Sequence, residues 1–392
     1  MKLGCMRRSL FLIMAMVILS GCSTKSANYY YKEGLEAFHD SDYLKAEENF
    51  IKAIEKNEYR AEYYIDYGMT LIMLEDYNQA LTMFDNAILE KDNQIVRKNN
   101  KLAMRGKGIL YYQSFDYISA LEQFEKALSI NELTDLNLDI LYYKASSEEK
   151  LGLYEKALES YSKILNEKDK DANTYSKRGN IYGKLKRYEE ALADFDKALM
   201  IESENYDYYF GKYFLLIESQ DTEGASKVLE AAENLKMETA EDEYNLGKIY
   251  YYQEKYDMAE IQLSEAFRNG FSSAYYYLGS ISEKQGDYEA AVYNYRMYLE
   301  DNNNQKSASI YNQMGLSYMK LDKFTEALES IQNGIKLNDI TLDQNLRRNE
   351  IICLEHLARY DEAYKLIRDY ISDYPNDEEA KQEIIFIKTR VE

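Results

Sequence analysis

Ten alanines fall at one fixed offset along this chain, and they constrain its fold more than any other feature. Counting units from residues 27, 61, 101, 138, 172, 206, 240, 272, 308 and 344 puts Ala46, Ala80, Ala120, Ala157, Ala191, Ala225, Ala259, Ala291, Ala327 and Ala363 at position 20 of each unit. The units are 32 to 40 residues apart. A self-similar period of this length means a stack of supersecondary units, none of which buries its apolar face alone. Position 8 is small in the same register, at Gly34, Gly68, Gly108, Ala145, Gly179, Gly247, Gly279 and Gly315, with Tyr213 and Ile351 departing. Position 17 is aromatic in every unit except the sixth, where Thr222 stands.

One proline and 17 glycines in 392 residues are too few chain breakers for an all-β chain of many tight turns, so the units are read as helical. Glycine inside a helix costs up to about 1 kcal/mol relative to alanine. Its recurrence therefore implies that close approach of two antiparallel helices outweighs propensity. Position 17 is expected to supply the large partner at that crossing and to open the second helix after polar turns such as Asp42, Asp76 and Asp287. Much of the excess of 41 tyrosines over no tryptophan is then structural. Extra residues at 93–100 and 131–137 read as lengthened loops leading into units 3 and 4. After Pro375, residues 377–392 form a polar helical pattern carrying Ile384, Ile385 and Ile387, expected to cap the last unit.

The unit at 172–205 carries Tyr175, Gly179, Tyr182, Tyr188, Ala191, Phe195 and Ala198 at positions 4, 8, 11, 17, 20, 24 and 27. In this it resembles the tetratricopeptide repeat (TPR) family, with Ser203 standing where the family has proline at position 32. The resemblance covers residues 27–376 and implies an all-α fold, an α-solenoid of about ten helix-turn-helix repeats wound as a right-handed superhelix. In that family, positions 2, 5, 6, 9, 12 and 13 of each first helix face a groove that holds an extended peptide or a partner's helix. Carried onto this chain, the groove candidates are Tyr142, Tyr143, Phe214, Tyr244, Asn245, Lys248, Tyr251, Tyr252, Tyr276, Tyr277 and Lys284. Aromatic side chains offer large contact area at low entropy cost, and the same tyrosines also suit plain packing between units. The family's carboxylate clamp needs Lys and Asn in one unit, Asn in the next, then Lys and Arg. Units 5 to 7 offer Ser176, Asn180, Gly211, Glu241 and Asn245 instead, so the clamp is absent there.

Residues 1–21 read as a secretory signal, because Lys2, Arg7 and Arg8 precede an apolar run from Leu10 to Leu19. That run is shorter than the roughly 20 residues a membrane-spanning helix needs. It ends in Leu19-Ser20-Gly21-Cys22, which resembles the lipobox of bacterial lipoproteins and implies lipidation at Cys22 with a short linker over 22–26. Cleavage there would take the formal charge from −21 to −24. A body of that sign is repelled by anionic lipid and by phosphate backbones, so nucleic acid is excluded as a partner. Cys5 would leave with the signal, and Cys353, in an apolar helical run, reads as a buried structural thiol.

No catalytic constellation, metal site or cofactor is expected. His39 and His356 lie in units 1 and 10. Gly106-Lys107-Gly108 lacks the strand a nucleotide loop needs. Asp169, Asp171 and Asn173 open like an EF-hand, but Thr174 and Asn180 stand where that loop needs Gly and Glu. The expected function is a lipid-anchored, extracytoplasmic, non-enzymatic adaptor that binds an envelope protein or peptide. Lipoproteins of similar layout assist envelope assembly, secretion or cell-wall maintenance. The acidic excess has two readings, a solvated outer face or attraction to a basic partner. The alternative function is a binding module for glycan or cell-wall fragments, with Tyr244, Tyr251, Tyr276 and Tyr277 as stacking platforms.

Overall fold

The computed structural model describes residues 25–301 and 304–391. The expected signal over 1–21 and the lipidation at Cys22 lie outside the described residues. Among those described there are twenty-one α-helices, one short 3-10 turn and no strand. They divide into two compact units at Ser203 and Glu204. The first unit holds α1 (Ala27–His39), α2 (Tyr43–Lys56), α3 (Ala61–Met73), α4 (Tyr77–Ala87), α5 (Gln94–Gln113), α6 (Tyr117–Leu128), α7 (Asn137–Lys150), α8 (Tyr154–Glu167), α9 (Ala172–Lys184) and α10 (Tyr188–Ile201). The second holds α11 (Tyr206–Glu218), α12 (Thr222–Glu233), α13 (Ala240–Tyr252), α14 (Tyr256–Arg268), α15 (Ala274–Gln285), α16 (Tyr288–Glu300), α17 (Ala308–Lys320), α18 (Phe324–Ile335), α19 (Asp343–His356), α20 (Tyr360–Asp373) and α21 (Glu378–Val391). Within each unit consecutive helices pack pairwise, and the first helices of neighbouring pairs touch side by side, as α3 does α5 and α13 does α15. This is α-solenoid stacking.

All ten position-20 alanines are buried, none more than 1% exposed. The large partner facing the position-8 glycine is at position 24, not position 17. A Cβ on Gly34, Gly68, Gly108 or Gly279 would stand 2.3 to 2.8 Å from the ring of Phe50, Phe84, Phe124 or Tyr295. The position-17 aromatics are only half-buried and pack at the turn, as Tyr43 does on Phe38 with ring centroids 5.6 Å apart. Helix geometry explains the shift: position 24 is one turn beyond position 20 on the same face, whereas 17 is one turn before it, at the helix start.

Every turn between paired helices has one residue in the left-handed region, always at position 15, with φ from 54° to 79°. Only Gly152 and Gly286 are glycines there; the others include Glu75, Phe115, Lys186 and Ala358. The next residue donates its N–H to the carbonyl at position 11 over 2.8 to 3.0 Å, closing a Schellman turn in all ten repeats. Where that residue is aspartate, as at Asp42, Asp76, Asp116, Asp221 and Asp287, its carboxylate also caps the second helix.

The stretch at 93–100 is helical, contrary to the loop expected there: α5 begins at Gln94, capped by Asn93. Its extra turns pack on the second insertion. Arg97 Nε meets Glu132 Oε1 at 2.6 Å, and the fully buried Lys101 donates to Ile130 O at 2.9 Å and Asn137 Oδ1 at 2.7 Å. At the other end, α21 covers repeat 10 with Ala380, Ile384, Ile387 and Val391, while Ile385 is 67% exposed. A 3.6-residue period puts 380, 384, 387 and 391 on one face and turns 385 away.

Candidate functional site

The first unit has an open cleft of about 540 Å³ on the face formed by first helices. Its apolar wall is Tyr112 of α5, Leu138, Tyr142 and Tyr143 of α7, and Ile164 of α8. Tyr142 stands edge-on to Tyr161, 6.2 Å between centroids, and its hydroxyl accepts from the side-chain amide of Asn173. Burial, helped by Asp171 and Glu149, pushes its phenol up to about 12. Tyr143 turns back onto the preceding repeat, stacked on Phe124 at 5.9 Å and against Tyr112 at 5.6 Å. The polar rim carries Ser146 and three paired charges: Asp139 binds Arg105 at 2.5 Å, and Lys168 binds Asp171 at 3.1 Å. Lys177 of α9 completes the lining, with Nζ 5.9 Å from the Tyr142 centroid and no carboxylate within ion-pair reach among the described residues.

In the second unit the corresponding face is filled. Tyr244 lies 4.6 Å from Phe271 and 5.8 Å from Tyr277, and Tyr277 also meets Tyr251 at 5.2 Å and Tyr276 at 4.9 Å. The Tyr252 and Tyr277 hydroxyls are 3.0 Å apart. Phe214 packs on Tyr252 at 5.3 Å while remaining 48% exposed. Edge-to-face pairs each add about 0.5–1.5 kcal/mol beyond area burial. Tyr277 is 8% exposed and Asn245 7%, so neither presents a surface. Burial raises the phenols of Tyr244, Tyr252 and Tyr277 above their ordinary range. Lys248 sits 3.9 Å over the Phe210 ring and 5.2 Å over Tyr244, donating to Asn245 Oδ1 at 3.4 Å. Burial lowers its pKa, against the pull of Asp207 and Glu241. Lys284 is exposed, near the end of α15.

The difference traces to two places in the register. Tyr142 and Tyr244 both hold position 5. The residue at position 6 of the following repeat is Lys177 in one case and Tyr277 in the other, and the loop between carries the exposed Asp169 against the ring of Phe271. Polar side chains leave the cleft open, and rings close it.

Family models described as tetratricopeptide repeat match residues 172–205, 244–306 and 308–340. The chain carries tetratricopeptide repeats. Among curated proteins, it is 28% identical over 116 residues to human DnaJ homolog subfamily C member 7, which is 29% of this chain and 22% of that protein. It is 26% identical over 266 residues to a TPR repeat-containing protein of Methanocaldococcus jannaschii, 65% of this chain and 40% of that one. The chain thus spans less than half the length of these relatives. Among solved structures, a tetratricopeptide repeat protein from Parabacteroides merdae shares the fold, with TM-score 0.50 and 15% identity over 65% of this chain and 98% of that one.

Other features singled out in the sequence are absorbed by the TPR packing. Gly106 and Gly108 make room for Phe84 and Phe124. Asp171 caps α9, accepting from Thr174 N at 3.0 Å. Cys353 is fully buried, and burial pushes its thiol up to about 12. His356 stacks on Phe324 at 3.9 Å. Sequence reading missed Lys177 as a site residue, although it holds position 6 of repeat 5 and the TPR frame already marks that position as groove-facing.

Proposed function

We propose that this TPR protein is a binding scaffold, not a catalyst, that holds an extended segment of a partner protein along its first helices. We further propose that it is exported and lipid-anchored through Cys22, and serves envelope assembly, secretion or cell-wall maintenance. The observation that carries the binding role is the cleft at Tyr142, concave, part apolar and part polar, on the face the resemblance assigns to partner segments. The lipobox-like Leu19-Ser20-Gly21-Cys22 after an apolar run supports the anchor, and two or three acyl chains hold a protein on a bilayer where one does not. The rings of Tyr244, Tyr251, Tyr276 and Tyr277 are engaged with one another, which counts against their use as stacking platforms for glycan.

Residues 23–392, used as bait for detergent-solubilised envelope of the source organism, are expected to retain one or a few proteins in stoichiometric amount, and Tyr142→Ala bait to lose them. Retention of cell-wall glycan alone would replace the scaffold with the glycan reading. Cys22→Ala is expected to move the protein out of the membrane fraction; continued tight attachment would defeat the lipoprotein reading.

A further inference from the structure

The net charge of −21 predicts a body that stands off anionic lipid. Surface charge is felt only within about 8–10 Å at physiological salt, however, so the edge nearest a membrane decides. Paired helices run up and down, and α1, α3 and α5 touch side by side. One edge of the first three repeats therefore gathers the start of α1, the α2–α3 connection and the segment leading into α5. Over 25–27, 56–61 and 88–98 that edge carries six basic residues against three acidic. The turns at the opposite edge, 40–42, 74–76 and 114–116, hold five acidic residues and no basic one. The basic excess is local, for the next connection on its own edge, 129–136, has Glu132 and Asp135 and no cation.

Large apolar side chains stand uncovered at the same basic edge. Tyr59, in the α2–α3 connection, is 87% exposed, and Ile95, in the first turn of α5, 67%. Beside Tyr59 an open cleft of about 530 Å³ has Ile51, Ile54, Tyr64 and Met83 in its apolar wall and Glu55, Lys56 and Glu58 among its polar lining. The start of α5 projects. Asn100 pairs its side-chain amide with the N–H and carbonyl of Leu89, and the six helical residues before it carry the first turn about 9 Å past that connection. Asp92, three residues before Ile95, and Glu132 are both held by Arg97. Cys22 stands five residues before Ala27, a reach of at most about 18 Å. The headgroup layer takes about 5–8 Å of that reach, and the rest matches the projection of α5.

We infer that this basic, apolar-tipped edge of the first three repeats lies on the anionic lipid surface to which Cys22 is anchored, with its lysines and arginines against headgroups and Tyr59 and Ile95 set between them. This rests on the anchor reading above and adds an orientation to it: the helices of these repeats stand on end, with the acidic turns pointing away from the bilayer. Tyrosine and basic side chains both suit the interfacial layer, the ring for its apolar body and polar tip, the cations for the negative surface potential.

The test places the whole lipidated chain in vesicles of phosphatidylcholine and phosphatidylglycerol in equal parts. Tyr59→Cys, Ile95→Cys or Phe115→Cys introduces one thiol for a nitroxide; Cys22 is acylated and Cys353 fully buried, so only that thiol is labelled. Phe115, 78% exposed beside Asp116, is the control at the acidic edge. Labels at 59 and 95 are expected to be at least about fivefold less accessible to a neutral aqueous nickel chelate than the label at 115, the factor one basic residue contributes near an anionic surface. Lys56→Glu combined with Arg60→Glu should bring the three level, and so should vesicles of phosphatidylcholine alone. Equal accessibility at all three positions, on anionic vesicles that carry the protein, would overturn the edge inference and leave the anchor reading standing. A protein that does not float with the vesicles would overturn both. Protection that fades as the protein-to-lipid ratio falls would assign the edge to a second copy of the chain and overturn the lipid occupant.

Discussion

Tyr142 in repeat 4 and Tyr244 in repeat 7 hold the same position of the same helix, yet one lines an open cleft and the other is enclosed by rings. The backbone does not distinguish them: both helices carry the position-20 alanine contact and the same left-handed turn. What differs is the side chain offered by the next repeat, an ammonium in one case and a phenol in the other. A repeat array can therefore keep one scaffold and change from structural filler to binding surface by substitution at two register positions, because the groove residue of one repeat is covered by its neighbour and not by its own pair.

Substitutions at the two tyrosine sites separate the cases most sharply. Tyr277→Ala removes a buried ring from the centre of the second unit's cluster and is expected to cost about 3–5 kcal/mol, read as a lower unfolding midpoint. Tyr142→Ala should cost no more than about 1–2 kcal/mol while abolishing partner capture. Equal losses of stability would erase the contrast between cleft and cluster.

Alkaline pH tests the same contrast by charge. The phenols of Tyr244, Tyr251, Tyr252, Tyr277 and Tyr295 are all raised, first by burial. A group whose folded pKa is raised contributes stability that is fully present below its unfolded value, about 10 for tyrosine, and is lost as pH climbs toward the folded value. The part of the tyrosinate absorbance that belongs to these rings should therefore appear above about pH 10 and only together with loss of helicity. Complete titration of all tyrosines near pH 10 with helices intact would mean the cluster is open to water.

Converting one site into the other is a finer test. Lys177→Tyr should close the cleft as Tyr277 closes its counterpart, adding about 0.5–1.5 kcal/mol and ending capture. A variant that still captured partner would show that position 6 does not control access. The smallest expected effect is that of Lys248→Met, which relieves a desolvated ammonium and should raise the midpoint of unfolding by about 2–4 °C; a fall would reveal a counter-ion role in the fold.

The repeat frame was legible because it depends on small residues, which leave a strong trace in the sequence: alanine at position 20 and glycine at position 8 are dictated by backbone proximity. The identity of the partner ring was not, since the aromatics at positions 17 and 24 of a repeat are both large, as Tyr43 and Phe50 are in the first, and only the helix face tells them apart. Position 15, structurally the most uniform, left no trace, because its side chain points outward and residues as unlike as Glu75 and Phe115 serve equally. The Asn- and Lys-rich start of α5 looked like a loop because the acceptors that bury Lys101 lie some thirty residues further on, in a segment local pattern does not reach. The cleft was hidden for a related reason, being a property of three successive repeats.

That reach of Lys101 across the boundary between repeats 3 and 4 has a consequence for how the array is built and rebuilt. Other neighbours are joined through apolar faces supplemented by side-chain pairs that lie on the repeats themselves, as Tyr31 with Asp66 and Lys184 with Glu149. Repeats 3 and 4 are joined instead by a buried ammonium that finds its acceptors only in the segment leading into the other repeat. Cutting anywhere between Lys101 and Asn137 would strand that charge without solvent or partner, so recombination, natural or engineered, must inherit this stretch whole.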